Sequence, residues 1–233
     1  MLVGKFFKNL NKKYQNHYFS GLSFNSQNIK KKNIFFAIQG TNKDGTKYIN
    51  EAITKGATTI VSRLNYNGIK NGVLYIKSKN SRKLLSEIAS KIYINKPNNL
   101  LGVTGTNGKS SIAEFYYQIL KFNNLKVASI GTLGIKSNFY TLKTNLTSLD
   151  SILLNNYLQN LKKKKINNVI LEASSHGLKQ HRLSGLNFNT GIFTNLSRDH
   201  LDYHKTYKDY LNSKLILFKN LMKNNSNIIT DID

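Results

Sequence analysis

Between an apolar run and a helical pattern lies a glycine-rich segment, residues 102–111, with the sequence Gly-Val-Thr-Gly-Thr-Asn-Gly-Lys-Ser-Ser. Glycines at a strand-to-helix turn let backbone N–H groups converge on phosphate oxygens. Lys109 adds a positive charge for the terminal phosphates, and the Ser110 hydroxyl can reach Mg²⁺. Val103 stands where the general P-loop pattern has glycine, so the segment is a variant of that pattern. We therefore predict a phosphate-binding loop at the start of a helix.

Strands and helices alternate from residue 100 onwards. The predicted strands are 100–104, 126–130, 168–173, 191–194 and 227–230, and the predicted helices are 109–122, 149–163 and 207–221. Such alternation is typical of an open α/β sheet of mostly parallel strands, with ligands at the carboxyl ends of the strands. Because the last strand begins so near the final residue, we expect this sheet to be incomplete at its C-terminus.

The first hundred residues have a different pattern. Short extended runs at 33–38, 58–61 and 73–76 are separated by glycine and asparagine turns, and helical patterns cover 48–54 and 81–93. The only proline, Pro97, lies in an asparagine-rich stretch that resists helix and favours a turn. We therefore predict two domains, a small α/β domain at 1–97 and a mostly parallel α/β domain at 98–233.

Composition limits the classes of function. The 233 residues contain no cysteine, which excludes disulfides, zinc–cysteine sites and thiol catalysis. No apolar stretch approaches the roughly 18 residues of a membrane span, and no signal peptide is recognisable, so we expect a soluble cytoplasmic protein without a membrane partner. The net charge of +24 invites a nucleic-acid interpretation, but the lysines are spread along the chain, so we expect no nucleic-acid partner.

Two segments downstream of the loop carry a resemblance to a known family. Residues 171–178 read Leu-Glu-Ala-Ser-Ser-His-Gly-Leu and are followed by Gln180-His181-Arg182. Residues 195–204 read Asn-Leu-Ser-Arg-Asp-His-Leu-Asp-Tyr-His. In this order the two segments resemble those of the MurE type of Mur ligase. The loop at 104–110 resembles the variant P-loop of the Mur ligases and also that of folylpolyglutamate synthetase.

The resemblance implies a reaction. Ligases of the MurE type use ATP and Mg²⁺ to add the third amino acid, diaminopimelate or lysine, to UDP-MurNAc-L-Ala-D-Glu in peptidoglycan biosynthesis. They phosphorylate a carboxylate, and an amine then attacks the acyl phosphate. The fold that the resemblance implies is a small UDP-binding domain followed by a P-loop-type ATPase domain. The first domain adds support, because segments at 35–40, 43–45 and 48–49 resemble the UDP-binding domain of the MurE and MurF types.

By the same resemblance, several residues receive roles in nucleotide and metal binding. The loop residues would hold ATP: Gly105, Thr106, Asn107, Gly108, Lys109, Ser110 and Ser111. Ser110, Glu172 and His200 would bind Mg²⁺. Lys109 and Lys214 would be catalytic, with Lys214 carbamylated by CO₂ into an anion that suits metal ions and phosphates. The alternatives are a surface carboxylate for Glu172, which a strand end also places well for Mg²⁺, a satisfied core histidine for His200, and one helical lysine among many for Lys214.

The substrate would contact a further set of residues by resemblance: Ser26, Thr147, Ser148, Ser174, Gln180 and Arg182. An arginine suits bidentate recognition of a carboxylate. The segment at 147–150 lacks the proline of the family's Thr-Thr-Pro-Asp, and a plain helix N-cap at Thr147 or Ser148 is an alternative. Ser26 lies in Asn-Ser-Gln where the family has Asp-Ser-Arg, so a turn-forming serine is its alternative.

Three other functions remain open at this stage. A ligase like folylpolyglutamate synthetase shares the loop, a nucleic-acid-binding module would rest on charge alone, and a non-catalytic remnant would keep only the fold. The family also has a third domain that selects the amino acid, and its central domain continues beyond residue 233. We therefore expect the 233 residues to lack turnover and to bind nucleotide weakly at best, and the amino acid and the oligomeric state stay open.

Overall fold

The structure, a computed structural model, describes residues 1–7, 10–40, 43–143 and 147–231. It divides into two compact units, Met1–Lys91 and Ile92–Asp233, each with its own sheet. The predicted boundary between residues 97 and 98 lies a few residues further along the chain and stays a prediction. The predicted fold class, a mixed α/β fold with mostly parallel sheets, is confirmed.

Five strands form the sheet of the first unit: β1 (Gly21–Ser23), β2 (Asn33–Phe36), β3 (Thr59–Ser62), β4 (Gly68–Lys70) and β5 (Val73–Lys77). They lie in the order β1-β2-β3-β5-β4, and only β4 runs antiparallel to its neighbour. The helices are α1 (Ile49–Thr54) and α2 (Ser81–Ile92). The sequence pattern predicts β2, β3 and β5 but misses β1 and β4, because three residues are too few to show a period.

The core of this unit forms around its central strands. Phe35 of β2 packs with Ile49 and Ala52 of α1 and with Ile60 of β3, and all four side chains are buried. Every residue of β2 and β3 is buried, which is typical of parallel strands that are covered on both faces.

Seven strands form the sheet of the second unit: β6 (Asn99–Thr104), β7 (Val127–Gly131), β8 (Gly134–Ser137), β9 (Thr141–Leu142), β10 (Asn168–Glu172), β11 (Phe188–Phe193) and β12 (Met222–Thr230). Their order is β12-β11-β6-β10-β7-β8-β9, in which the pairs β7–β8 and β8–β9 are antiparallel and the other neighbouring pairs are parallel. The helices are α3 (Lys109–Phe122), α4 (Ser151–Lys163), α5 (Ser175–Lys179), α6 (Leu201–His204) and α7 (Tyr207–Asn220).

This topology brings the predicted site residues to one edge of the sheet. The chain passes from β6 through α3 to β7 on one side, and from β10 through α5 to β11 on the other. Reversal of the strand order opens a crevice at the carboxyl ends of such strands. Gly105, Thr132, Ala173 and Thr194 follow β6, β7, β10 and β11 at this edge.

Several local predictions need correction. Helix α4 begins at Ser151 rather than at 149, because the Asp150 carboxylate accepts hydrogen bonds from the amides of Ile152 and Leu153, each at 3.0 Å. The alternative of an N-cap at Thr147 or Ser148 is therefore wrong. The sequence analysis also misses β8 and β9, which are short and mixed in composition.

The last strand begins at Met222 and is therefore longer than the predicted 227–230. Strand β12 lies at the end of the strand order, and Ile228 and Ile229 are more than half exposed. Within the described ranges, no helix combines the length and the apolar character that crossing a membrane requires.

Candidate active site

The loop after β6 has the backbone of a phosphate cradle. Gly105 has φ +149° and Gly108 has φ +82°, values that side-chain-bearing residues rarely adopt. Gly108 is also the N-cap of α3, so the first N–H groups of that helix, which have no intrahelical acceptor, begin at this turn. Asn195 fixes the loop from the neighbouring strand end, because its backbone oxygen accepts from Thr106 N and its side-chain oxygen accepts from Asn107 N, both at 3.0 Å.

Lys109 folds back onto this loop. Its Nζ donates to the carbonyl oxygens of Gly105 at 3.0 Å and Thr106 at 2.6 Å. Burial lowers the pKa of Lys109, while the carboxylates of Glu172 and Asp199 act in the opposite direction. The ammonium group therefore lies beside the loop. A charged phosphate oxygen is a stronger acceptor than the two neutral carbonyl oxygens and can replace them.

Glu172 lies at the carboxyl end of β10 and is almost completely buried, with 3% of its surface exposed. Its Oε2 accepts from Ser110 Oγ at 2.9 Å and from Thr132 Oγ1 at 3.1 Å, and its Oε1 accepts from Thr132 N at 2.9 Å. A Cβ on Gly131 would come within 2.1 Å of Oε1, so glycine there leaves room for the carboxylate. The alternative of a surface carboxylate is wrong.

Lys214 lies under the loop. It is 1% exposed, its Nζ donates to Gly105 O at 2.5 Å, and it packs 4.2 Å from the centre of the Tyr210 ring. Burial, and next the positive charge of Lys109, lower the pKa of Lys214 to about 7, while Asp199 acts in the opposite direction. The alternative of an ordinary surface lysine on a helix is therefore wrong, and the carbamylation of Lys214 stays a prediction.

The histidines form an aromatic cluster beside the loop. The side chain of His200 is half exposed and its Nε2 lies 3.4 Å from Asp199 Oδ2, so the alternative of a core histidine is wrong. His176 stacks on Tyr203 at 4.0 Å between ring centres and meets His200 edge-on at 4.9 Å. His204 is completely buried, and burial, followed by Lys179 and His176, lowers its pKa to about 4.

The predicted substrate residues of this unit divide into two groups. Thr147 and Ser174 line the cavity, whereas Ser148 is buried and its hydroxyl donates to Glu172 O at 3.1 Å. The substrate role predicted for Ser148 therefore gains no support from its position. Arg182 donates to Ser148 O at 2.6 Å and, through Nε and Nη2, to Gln180 Oε1. This pair lies next to the cavity rather than among the residues that line it.

The loop and the side chains around it enclose a cavity of about 280 Å³. It is lined by all seven predicted nucleotide-binding residues and by others from the facing strand ends and helices: Gly105, Thr106, Asn107, Gly108, Lys109, Ser110, Ser111, Thr132, Thr147, Glu172, Ser174, Ser175, His200, Tyr210 and Lys214. Both predicted catalytic lysines and all three predicted metal ligands thus share one space. Such a concave site with convergent polar groups is typical of ligand binding.

Ser26, the predicted uridine-diphosphate contact, lies in a separate cavity of about 430 Å³ within the first unit. Its hydroxyl donates to Glu51 Oε2 at 2.8 Å, and Asn25 rather than Ser26 caps the short 3-10 helix Ser26–Asn28. Lys43, Arg82 and Glu51 also line this cavity, and the two cations outnumber the single carboxylate. This balance of charge suits an anionic ligand.

Two family descriptions match the chain. Residues 103–233 match the Mur ligase middle domain, and residues 18–93 match the catalytic domain of the Mur ligase family. The first match alone covers more than half of the chain. The chain belongs to the Mur ligase family.

Individual relatives of this Mur ligase support the MurE type. A UDP-N-acetylmuramoyl-L-alanyl-D-glutamate--2,6-diaminopimelate ligase from Rickettsia montanensis is 40% identical over 229 residues, which are 97% of this chain and 47% of the relative. The ligase of the same name from Clostridium tetani (strain Massachusetts / E88) is 40% identical over 211 residues, 89% of this chain and 44% of the relative. The predicted resemblance to the MurE type is confirmed.

A solved structure agrees with the sequence relatives. The structure of a UDP-N-acetylmuramoyl-L-alanyl-D-glutamate--2,6-diaminopimelate ligase matches this Mur ligase with a TM-score of 0.83 at 26% identity, over 99% of this chain and 52% of the solved chain. The chain therefore spans about half the length of the relatives that it matches.

Sequence reasoning missed three residues that line this cavity, namely Thr132, Ser175 and Tyr210. Thr132 binds Glu172 through both its amide and its hydroxyl, and Tyr210 donates to Thr106 Oγ1 at 3.2 Å beneath the loop. A signal existed for Thr132, because it follows β7 at the carboxyl edge of the sheet. Tyr210 gave no such signal, since its contact joins residues that are 104 positions apart.

The buried amine of Lys214 predicts a pH-dependent stability of this Mur ligase chain. Its folded pKa of about 7 lies below the ordinary value of 10.5, so between these pH values the unfolded state binds the additional proton. The free energy of unfolding should therefore rise by a few kcal/mol from about pH 7 to about pH 10.5. Below pH 7 the loss of stability caused by burial of the amine should be complete and constant. In Lys214→Met this rise should be clearly smaller in urea-unfolding curves measured across the range, and the remainder should come from Lys96 and Lys109, whose pKa values burial also lowers.

Lys219→Met is the matched control, because Lys219 lies on the same helix and is exposed. That variant should retain the rise. Parallel curves for the wild type and Lys214→Met would contradict an uncharged, buried Lys214.

Proposed function

We propose that this chain supplies the nucleotide site of an ATP-dependent ligase that adds an amino acid to UDP-MurNAc-L-Ala-D-Glu. The observation that carries the proposal is the shared cavity, in which the glycine-rich loop, Lys109 and Glu172 face the same space. The names of the relatives support 2,6-diaminopimelate as the amino acid. Peptidoglycan biosynthesis follows from this substrate.

The proposed reaction has two steps. An oxygen of the D-Glu carboxylate attacks the γ-phosphorus of ATP, the bond to the bridging oxygen breaks, and an acyl phosphate and ADP form. The amine of the incoming amino acid then attacks the acyl carbon, loses a proton and displaces phosphate as the amide forms. Lys109 and the loop amides would stabilise negative charge on the transferring phosphoryl group, and catalysis of this kind rests mainly on positioning and electrostatics.

The side chains of Glu172 and Ser110 fit Mg²⁺. Their oxygens lie 2.9 Å apart at the carboxyl edge of the sheet, and carboxylate and hydroxyl oxygens are ligands that this hard cation prefers. When bound, the ion would neutralise charge on the phosphate oxygens. His200, at the mouth of the same cavity, remains our candidate for a second ion, and a carbamate on Lys214 would add an anion nearby.

The substrate residues extend the proposal beyond the nucleotide. Thr147 and Ser174 line the same cavity as Glu172, and we place the D-Glu carboxylate beside them. Gln180 and Arg182 are held together next to this position. Ser26 and its basic neighbours in the first unit would hold the uridine diphosphate.

The alternatives have weaker support. A ligase like folylpolyglutamate synthetase would share the loop, but the 40% identical relatives carry the diaminopimelate ligase name and the family match includes residues 18–93. A nucleic-acid-binding module rests on the net charge of +24 alone. A non-catalytic remnant would need no intact cradle, whereas Lys109, Ser110 and Glu172 are all in place here.

Nucleotide titration tests the proposal on the chain as it is. In ¹⁵N NMR spectra, the Mg²⁺ complex of the non-hydrolysable analogue adenylyl-imidodiphosphate should shift the amides of residues 105–111, with a dissociation constant of about 1 mM or weaker. Lys109→Met should remove the shifts, because the ammonium group that meets the terminal phosphates is gone. Ligase turnover by the 233 residues alone would refute the expectation that they lack activity.

Lys219→Met is again the control for lost positive charge, and it should leave the titration unchanged. Shifts confined to the first unit would contradict the assignment of the loop. A salt-sensitive DNA gel shift without any response to nucleotide would favour the nucleic-acid alternative.

A further inference from the structure

His204 has no part in the roles proposed above, yet its ring is completely buried between two helices of the second unit. Its Nε2 lies 2.9 Å from the hydroxyl of Ser175, the first residue of α5. Its Nδ1 lies 3.3 Å from the hydroxyl of Ser213 in α7. Because Ser175 follows Ser174 and Ser213 precedes Lys214, one imidazole connects two walls of the cavity.

The hydrogen bonds determine which ring nitrogen carries the proton. Ser213 Oγ donates its only hydrogen to Asp209 O at 2.7 Å, so it can only accept from the ring. Nδ1 of His204 must therefore be the protonated nitrogen. Nε2 then presents a lone pair, and Ser175 Oγ donates to it.

A second link between the same helices lies at the surface. Lys179 of α5 forms an ion pair with Asp209 of α7, and both side chains are about one third exposed. Exposed ion pairs contribute little to stability because water and salt screen them. The buried links through His204 are different, since removal of the ring nitrogens takes from Ser175 Oγ its acceptor and from Ser213 Oγ its donor in a low-dielectric interior, although Ser213 keeps its bond to Asp209 O.

We propose that His204, in its Nδ1–H tautomer, is a positioning residue that sets the distance between the start of α5 and Lys214. It acts through Ser175 and Ser213 and does not itself line the cavity. The inference rests on the proposed function only in taking that cavity to be the nucleotide site. Its tests use no nucleotide, so the two can fail separately.

The tautomer has a direct spectroscopic test. In ¹⁵N-labelled chain, His204 should show a protonated Nδ1 and an unprotonated Nε2. Ser213→Ala should move the proton towards Nε2, because Nδ1–H loses Ser213 as its acceptor, Asp209 Oδ2 lies 3.7 Å from Nδ1 and thus beyond hydrogen-bond distance, and Ser175 can accept instead. Ser175→Ala should leave Nδ1–H in place. A protonated Nε2 in the unchanged chain would overturn the proposal.

The positioning role is tested by the accessibility of the Lys214 amine. His204→Phe keeps a ring in place but removes both nitrogens, and acylation of Lys214, followed by mass spectrometry, should become about tenfold faster, as expected for the loss of one or two hydrogen bonds. Lys179→Gln, which breaks the exposed link between the same helices, should leave the rate unchanged.

General destabilisation is controlled by a core variant. Leu158 lies in α4 and is completely buried, and Leu158→Ala or Leu158→Val can be chosen to match the unfolding free energy of His204→Phe. Lys214 should react faster in His204→Phe than in the matched variant. Equal rates in the two would overturn the proposal, because they would show only a global loss of stability.

Discussion

Replacement of Gly105 by alanine should lower the free energy of unfolding by about 3 kcal/mol and abolish the response of the loop to nucleotide. Two causes act together. Gly105 has φ +149°, and an added Cβ would come within 1.8 Å of Thr194 Oγ1. That hydroxyl donates to Asn107 O at 2.6 Å, so its displacement would also distort the cradle. Urea unfolding and the NMR titration would measure the two effects.

Gly108→Ala is the matched control in the same loop. Gly108 also has positive φ, at +82°, but a Cβ there would meet its nearest neighbour, Thr194, at an ordinary 3.9 Å. Only backbone strain remains, so the loss should be about 1 kcal/mol. Equal losses in the two variants would mean that the contact with Thr194 does not shape the loop.

Glu172→Gln should have the largest effect on the metal dependence of nucleotide binding. The change keeps the shape of the side chain, but it removes a charge and replaces an acceptor with a donor. Three donor groups converge on the carboxylate, from Ser110 and Thr132, so one of them would face an NH₂ group. The chain should lose about 2 kcal/mol of stability, and the gain in nucleotide affinity from Mg²⁺ should fall tenfold or more, by about the factors known for altered metal sites.

Glu87→Gln provides the comparison for loss of a carboxylate. Glu87 lies on α2 in the first unit, is 39% exposed and sits 3.9 Å from Lys83, so little should change in stability or affinity. If Glu172→Gln kept the full Mg²⁺ dependence, Glu172 would not be a ligand, and the metal site would have to be sought elsewhere.

Local patterns predict the parts of the site that depend on local forces. Helix α3 has the predicted bounds, because the glycine turn and the apolar period are both written in adjacent residues. The position of Glu172 at a strand end follows from the alternation of strands and helices. Helix α4 was harder to place, since the pattern at 147–150 contains three side chains that can cap a helix and only Asp150 does so.

Local sequence patterns do not predict contacts between residues that are far apart along the chain. Lys214 has the sequence surroundings of a surface lysine, and only packing of α7 under the loop buries it. The inward direction of Ser148 and the bond between Tyr210 and Thr106 likewise depend on contacts between distant segments. The family resemblance gave roles to Lys214 and Ser148 and none to Tyr210. The contacts that surround all three residues are visible only in the structure.

Strand β12 has a practical consequence for every solution experiment above. It is an edge strand: within the described residues, no strand pairs with its outer backbone groups. Ile228 and Ile229 add exposed apolar surface to both faces of the sheet at this edge. Exposed edge strands of this kind can pair with the same strand of another molecule, and they promote aggregation as protein concentration increases. Dilute samples, with light scattering as a routine check, would keep such self-association from being mistaken for ligand binding.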